Sequence, residues 1–265
     1  MPELAEFVPI NNLRTPCADR NDKLGWTDGF AVSFDGISLG VRSNDSEFLQ
    51  ELRESVPQGK PWANRKVDIL LSFLKAKESD RKGVRHYHVV YQDWDRVART
   101  FDLEEALNVF SLTAQLAKLQ NSIHKVYIAS DLIEWRGLRI LLVGQLEARE
   151  PVKEALRQRG AGVLIAHAVG LDRQDKLACA VTPEFEPVQA DVILLVEPGT
   201  RRKFVKLTAA EAALQLLVKA HGANRHPHFA MVMLSAWTPK LKAYSVRLAF
   251  TDDESLEWLA KRLKA

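Results

Sequence analysis

Leu138-Arg139-Ile140-Leu141-Leu142-Val143 followed by Gly144-Gln145-Leu146-Glu147-Ala148-Arg149-Glu150-Pro151 is the stretch on which the fold of this chain turns. The first six residues read as a buried strand. Val152-Lys153-Glu154-Ala155-Leu156-Arg157, just beyond, reads as a helix with Pro151 favourably placed at its first position. Strand, Gly-led turn, helix is the setting in which G-x-x-x-x-G-K-[ST] cradles a triphosphate. Here Arg149 stands in place of the second Gly, Glu150 in place of the Lys, and Pro151 in place of the Ser or Thr.

Each replacement has a physical consequence. A phosphate loop works because several backbone N–H groups converge on the anion at a helix N-terminus. Pro151 has no N–H to offer. Arg149 lacks the backbone freedom by which glycine lets a chain approach a ligand closely. Glu150 exchanges a cation for an anion, and a unit charge pair at about 4 Å is worth roughly 4 kcal/mol near a protein surface. Reversing its sign loses that attraction and adds a comparable repulsion. The frame of a nucleotide site is kept while its chemistry is absent.

Outward from this stretch, the chain divides by texture. Residues 1–25 are polar and irregular. Phe30 to Val41 alternates about Asp35-Gly36, which predicts a hairpin. A helix is expected near 45–54, opened by Asn44 and Asp45, and strands at 67–74 and 86–91 with a charged loop between them. Asp102 with Glu105 forms a capping-box pattern ahead of an amphipathic helix, 106–119. These elements predict a small N-terminal antiparallel sheet with helices, ending near residue 122. From 123 the runs become more apolar. Lys125 to Ser130 and Ile133 to Trp135 are read as strands flanking a turn, with further strands at 163–166, 177–182, 191–196, 203–207 and 244–250. Thr208-Ala209-Ala210-Glu211 is a second capping box, opening a helix; another is expected at 227–235 and a last one after Thr251. The whole reads as an α/β protein of mixed sheets in two domains, 1–122 and 123–265.

Composition narrows the function classes. The 37 Lys and Arg residues against 34 Asp and Glu give a net charge of +3, too slight to imply nucleic acid as a partner. Arg201-Arg202-Lys203 is expected to be solvated surface. Two cysteines, Cys17 and Cys179, have neither disulfide nor metal spacing. No membrane-length apolar run and no basic-then-apolar leader occur, so a cytoplasmic protein is expected.

In order and spacing, residues 123–265 resemble the kinase domain of the HPr kinase/phosphorylase family, especially its divergent HPr-kinase-like members. The resemblance runs through Val126-Tyr127-Ile128-Ala129, then Trp135-Arg136-Gly137-Leu138 into Gly144, then Ile193 to Glu197, Leu207-Thr208-Ala209-Ala210-Glu211-Ala212, Tyr244-Ser245-Val246-Arg247-Leu248 and Leu256 to Leu263. It implies a C-terminal domain of the HPr-kinase/PEP-carboxykinase-like P-loop type. It also implies where the family's working residues should stand, and there the chain departs. Ile128 occupies the place of the His in a His-Ala pair. His167-Ala168 stands where an acidic pair would follow the next strand, and Asp172 comes too late. With the Lys and hydroxyl of the loop also missing, phosphoryl transfer has neither its metal ligands nor its cation. The expectation is a catalytically inactive pseudokinase with no catalytic residue, cofactor or metal, and a vestigial loop at Gly144, Arg149, Glu150 and Pro151. It would act as a scaffold or regulator by binding a protein or peptide, and the family it resembles makes a homo-oligomer plausible. The rival reading is an active ATP-dependent serine or small-molecule kinase with an atypical nucleotide site.

Other residues offer weaker chemistry. His86 and His88, two apart on a strand, share a face and form a candidate metal pair, as do His226 and His228. His167, in an apolar run, reads as a core histidine. Trp62, Trp94 and Trp237 adjoin turns and are candidate interface anchors.

Overall fold

The computed structural model describes residues 13–15, 21–76, 86–179, 186–199, 201–248 and 253–264. The chain divides into two compact units, Met1–Ser122 and Ile123–Ala265. Both hold mixed sheets, and six α-helices lie among the described residues.

The first unit contains β1 (Asp28–Phe34), β2 (Ile37–Ser43), α1 (Leu49–Glu54), β3 (Lys60–Pro61), β4 (Ile69–Leu74), β5 (His88–Gln92), β6 (Asp95–Thr100) and α2 (Leu103–Asn121). The β1–β2 hairpin closes on Asp35-Gly36, both left-handed, with Phe34 opposite Ile37. That two-residue turn matches the twist of the flanking strands. Asp45 accepts the N–H groups of Glu47 and Phe48, so the turn before α1 is capped where the sequence predicts, but the helix itself begins only at Leu49. Much of the expected charged loop, residues 77–85, lies outside the described residues, as does Cys17.

The strands form one sheet in the order β3-β1-β2-β4-β5-β6. It is not the antiparallel sheet expected, because β2 and β4 run parallel, with Leu39 opposite Ile69. A parallel pair needs a crossover; here the chain leaves β2 through α1, adds β3 to the far side of β1, and returns to β4 in the same direction. Asp102 caps α2 through the N–H groups of Glu104 and Glu105. The reciprocal half of the capping box is not made, because the Glu105 carboxylate accepts from the Thr100 hydroxyl at 2.5 Å instead. Ala106, Phe110, Ala114 and Ala117 recur along one face of α2 and are buried over the sheet, where Phe110 meets Phe73 edge-on at 5.9 Å.

The second unit contains β7 (Val126–Trp135), β8 (Leu138–Gly144), α3 (Leu146–Arg157), β9 (Gly162–Ile165), β10 (Ala168–Leu171), β11 (Leu177–Cys179), β12 (Val192–Val196), β13 (Lys203–Lys206), α4 (Ala209–Lys219), α5 (Pro227–Trp237), β14 (Lys242–Arg247) and α6 (Asp253–Lys264). Its sheet runs β11-β10-β7-β8-β12-β14-β13, with β9 also on β7. The three central strands β8, β12 and β14 are parallel, and antiparallel strands flank them. Alternation divides the apolar side chains between two layers. Leu141, Val143, Ile193 and Leu195 pack with Leu216 of α4 and Leu234 of α5. Ile140, Leu142, Val192 and Leu194 pack with Val152 and Leu156 of α3 and Leu256 and Leu259 of α6. Both hydrogen bonds of the capping box Thr208–Glu211 are present at the head of α4.

Expectations fail in this unit, beginning with the layout of its strands and core. Residues 126–135 form one continuous strand with no turn at Asp131. Val126–Ala129 pair with β10, and Ser130–Trp135 pair with β8. Trp237 is not an interface anchor: it is 2% exposed, in the core with Leu234 and Ala243. The expected start of the last helix at Thr251 and Asp252 lies outside the described residues, as do 180–182 and 249–250 of two expected strands.

Candidate functional site at the carboxyl ends of the parallel strands

In open α/β sheets, ligands bind beyond the carboxyl ends of the strands. Here those ends are Gly144, Val196 and Val246, aligned side by side by the register of β8, β12 and β14. Gly144 is needed for packing: a Cβ there would lie 2.7 Å from the Val196 carbonyl oxygen.

The expected loop is not a loop. Gln145 alone joins β8 to α3, as an extended N-cap, and the helix begins at Leu146. Ala148 and Arg149 donate their N–H groups to the Gln145 carbonyl at 3.1 and 2.9 Å. Arg149 and Glu150 therefore lie on regular helix, and Pro151 lies inside it rather than at its first position. A proline there removes the bond to the carbonyl four residues back and crowds it. The helix continues because Pro151 itself is exposed, while Val152, Ala155 and Leu156 beyond it are buried against the sheet. Local propensity loses to tertiary packing.

Arg149 and Lys153, four residues apart, share the inner face of α3. Both turn toward Asp131 on β7, whose side chain is 0% exposed. Arg149 Nε approaches Asp131 Oδ2 at 2.6 Å, with the Arg149 side chain 4% exposed. Lys153 Nζ stands 3.6 Å from Asp131 Oδ1 and 2.6 Å from Glu150 Oε2. The His167 N–H donates to Asp131 Oδ1 at 2.8 Å. His167 is not a core histidine; it is exposed at the β9–β10 turn, with φ at +70°, and its carbonyl accepts the Ser130 N–H. Asp131 keeps its place within a strand because its charge is met from three directions. This explains why the expected turn is absent.

A second charged group occupies the other face of the sheet at the same edge. Glu197, one residue past β12, accepts from the Ser245 hydroxyl at 2.7 Å and from Arg247 Nη2 at 3.0 Å, with Lys203 Nζ at 3.6 Å. The Ser245 hydrogen bond, helped by Lys203 and Arg247, holds the Glu197 carboxyl below its ordinary 4.5. A depressed carboxyl pKa contributes stability above the unfolded value and loses it as pH falls through the folded one. Glu197→Gln is therefore expected to leave stability at pH 4.5 and below less sensitive to acid than wild type. Thermal melts between pH 3 and 7 would read this, and parallel acid profiles for the two proteins would refute it.

The remaining candidates separate. His86 is exposed, whereas His88 is buried and its Nδ1 accepts the Ala76 N–H at 3.2 Å. Burial, with Lys75 nearby, pushes the His88 pKa down. His226 is the N-cap of α5 and His228 lies in its first turn. Among the described residues, no group of three or more His, Cys, Asp or Glu side chains is placed to hold a metal ion. Trp62 and Trp94 are exposed. Arg202 pairs with Glu254 at 2.8 Å and Lys203 with Glu197, while Arg201 and Lys203 are exposed, as expected of a solvated basic run.

Sequence reasoning missed Asp131, Lys153, Glu197, Ser245 and Arg247. A signal for the first two exists: a lone aspartate in an apolar run, and two cations four apart on one helix. Among the described residues, no helix is long and apolar enough to cross a membrane. No protein-family model matches the chain, and no curated protein matches it significantly in sequence.

Proposed function

We propose that the chain is a catalytically inactive, HPr-kinase-like pseudokinase that acts by binding a protein or peptide, as a scaffold or regulator. The observation that carries this reading is the inward commitment of Arg149 and Lys153 to Asp131. A nucleotide site beside this helix would need free cations and a run of open N–H groups aimed outward. Instead, one residue connects strand to helix, and both inner-face cations are taken up by carboxylates of the same chain. The docking role draws support from α5, which has no Asp, Glu, Lys or Arg among its 11 residues. Val232 on α5 and Leu214 and Val218 on α4 are exposed, Val218 at 78%. Apolar side chains left in water on neighbouring helices suit a protein partner, including a second copy.

Calorimetry with ATP, ADP, GTP and pyrophosphate, each with Mg²⁺, tests the reading. No saturable heat is expected from any of them. Saturable micromolar binding of ATP would overturn it in favour of an active ATP-dependent kinase with an atypical nucleotide site.

A further inference from the structure

Three donors converge on the Asp131 carboxylate: the Arg149 guanidinium, the Lys153 ammonium and the His167 N–H. Two come from successive turns of α3 and the third from a left-handed residue between β9 and β10. Two cations and a backbone N–H, nearly closed to solvent, are the parts from which proteins build sites for small oxyanions. The anion in this site is attached to the chain. Its fit is incomplete, because Asp131 Oδ2 and Arg149 Nε lie 2.6 Å apart yet neither makes an aligned hydrogen bond.

We infer that Asp131 is the built-in occupant of an oxyanion site formed by Arg149, Lys153 and the His167 N–H. Shortening this aspartate opens the site to a free carboxylate of formate size. The inference rests on the reading that no phosphate ligand is held here. It also accounts for how this layer of the fold persists without one, since the chain supplies its own counter-charge. In the group as it stands, Asp131 and Glu150 balance Arg149 and Lys153. Without Asp131 one buried cation is left uncompensated, and breaking a buried pair from one side is strongly destabilising. Asp131→Ala removes a carbon and two oxygens, the heavy atoms of formate.

The test is thermal melting of the full chain in formate and in chloride at matched ionic strength. Asp131→Ala is expected to melt roughly 10 °C below wild type. Formate should restore most of that loss saturably, and should leave wild type and the double variant Asp131→Ala/Arg149→Met unmoved. Equal formate shifts in all three proteins, or none in a folded Asp131→Ala, would overturn the inference. Should the alanine variant not fold, Asp131→Asn and Asp131→Asn/Arg149→Met decide the matter. The double variant is expected to be the more stable, because it removes the stranded cation, and the opposite order would refute the site. Failure of the inactive reading would appear elsewhere, as ATP binding by the wild-type protein.

Discussion

The triple variant Arg149→Gly/Glu150→Lys/Pro151→Ser, which rewrites the strand–helix junction as a phosphate-loop sequence, is expected to lose about 3 kcal/mol of stability and to bind no ATP. The sequence alone would ascribe its inactivity to missing metal ligands. The structure adds a larger effect. Arg149 is the nearest counter-charge to a carboxylate with no solvent exposure, and its removal leaves Asp131, among the described residues, with Lys153 at 3.6 Å as its one cation, beside the uncharged His167 N–H. Losing one partner of a buried pair costs about 3–5 kcal/mol, and a glycine inside a helix adds about 1 kcal/mol. Replacing Pro151, which sits on an exposed turn, returns part of this by restoring a ladder hydrogen bond. The melting temperature should fall by roughly 10 °C for a chain of this size. A triple variant that melts with wild type and binds ATP would refute both the cost and the inactive reading.

Gly144→Ala is expected to cost about 3 kcal/mol, for a reason unrelated to phosphate. In a phosphate loop the first glycine serves the turn. Here the backbone of β8 meets that of β12, and an added Cβ would lie 2.7 Å from the Val196 carbonyl. That neighbour is main chain held in a parallel ladder, so it cannot swing aside as a side-chain end would. Gly162→Ala is the control: nothing lies within 4 Å of its added Cβ, and its stability should be unchanged or slightly raised. Chemical denaturation of the two variants would measure the difference, and equal midpoints would refute the packing account.

What could be read in the sequence was set by whether the relevant interaction is local. Asp35-Gly36 specifies its hairpin because both turn residues must be left-handed and few other pairs allow it. Thr208 and Glu211 specify the head of α4 because both partners lie within one turn. The same pattern at Asp102 and Glu105 is half realised, since Thr100, just outside the motif, takes the Glu105 carboxylate. The return of β4 beside β2 depends on where the crossover lays the chain, which no short pattern encodes. The site was misread for the same reason. Asp131 resembles a turn residue and Pro151 a helix start only while their partners are unknown. Arg149 lies 18 positions beyond Asp131, and the pairing that keeps one in a strand and the other in a helix exists only once the sheet has formed.

The buried aspartate also has a consequence for which structure forms, as distinct from how stable it is. Strand β7 is the longest in its sheet among the described residues; residues 126–129 pair with β10, and residues 132–134 lie between β8 and β9. Its apolar residues Leu132 and Ile133 are of similar size and occupy opposite faces, so hydrophobicity alone discriminates poorly between neighbouring alignments. A slip of one residue would carry the Asp131 carboxylate through the sheet, away from Arg149 and Lys153, into the layer of Leu141, Val143 and Leu216. An uncompensated charge there is penalised far more than a mismatched methyl group. One acidic residue thereby marks the alignment of the whole strand, excluding frames that an all-apolar β7 would tolerate.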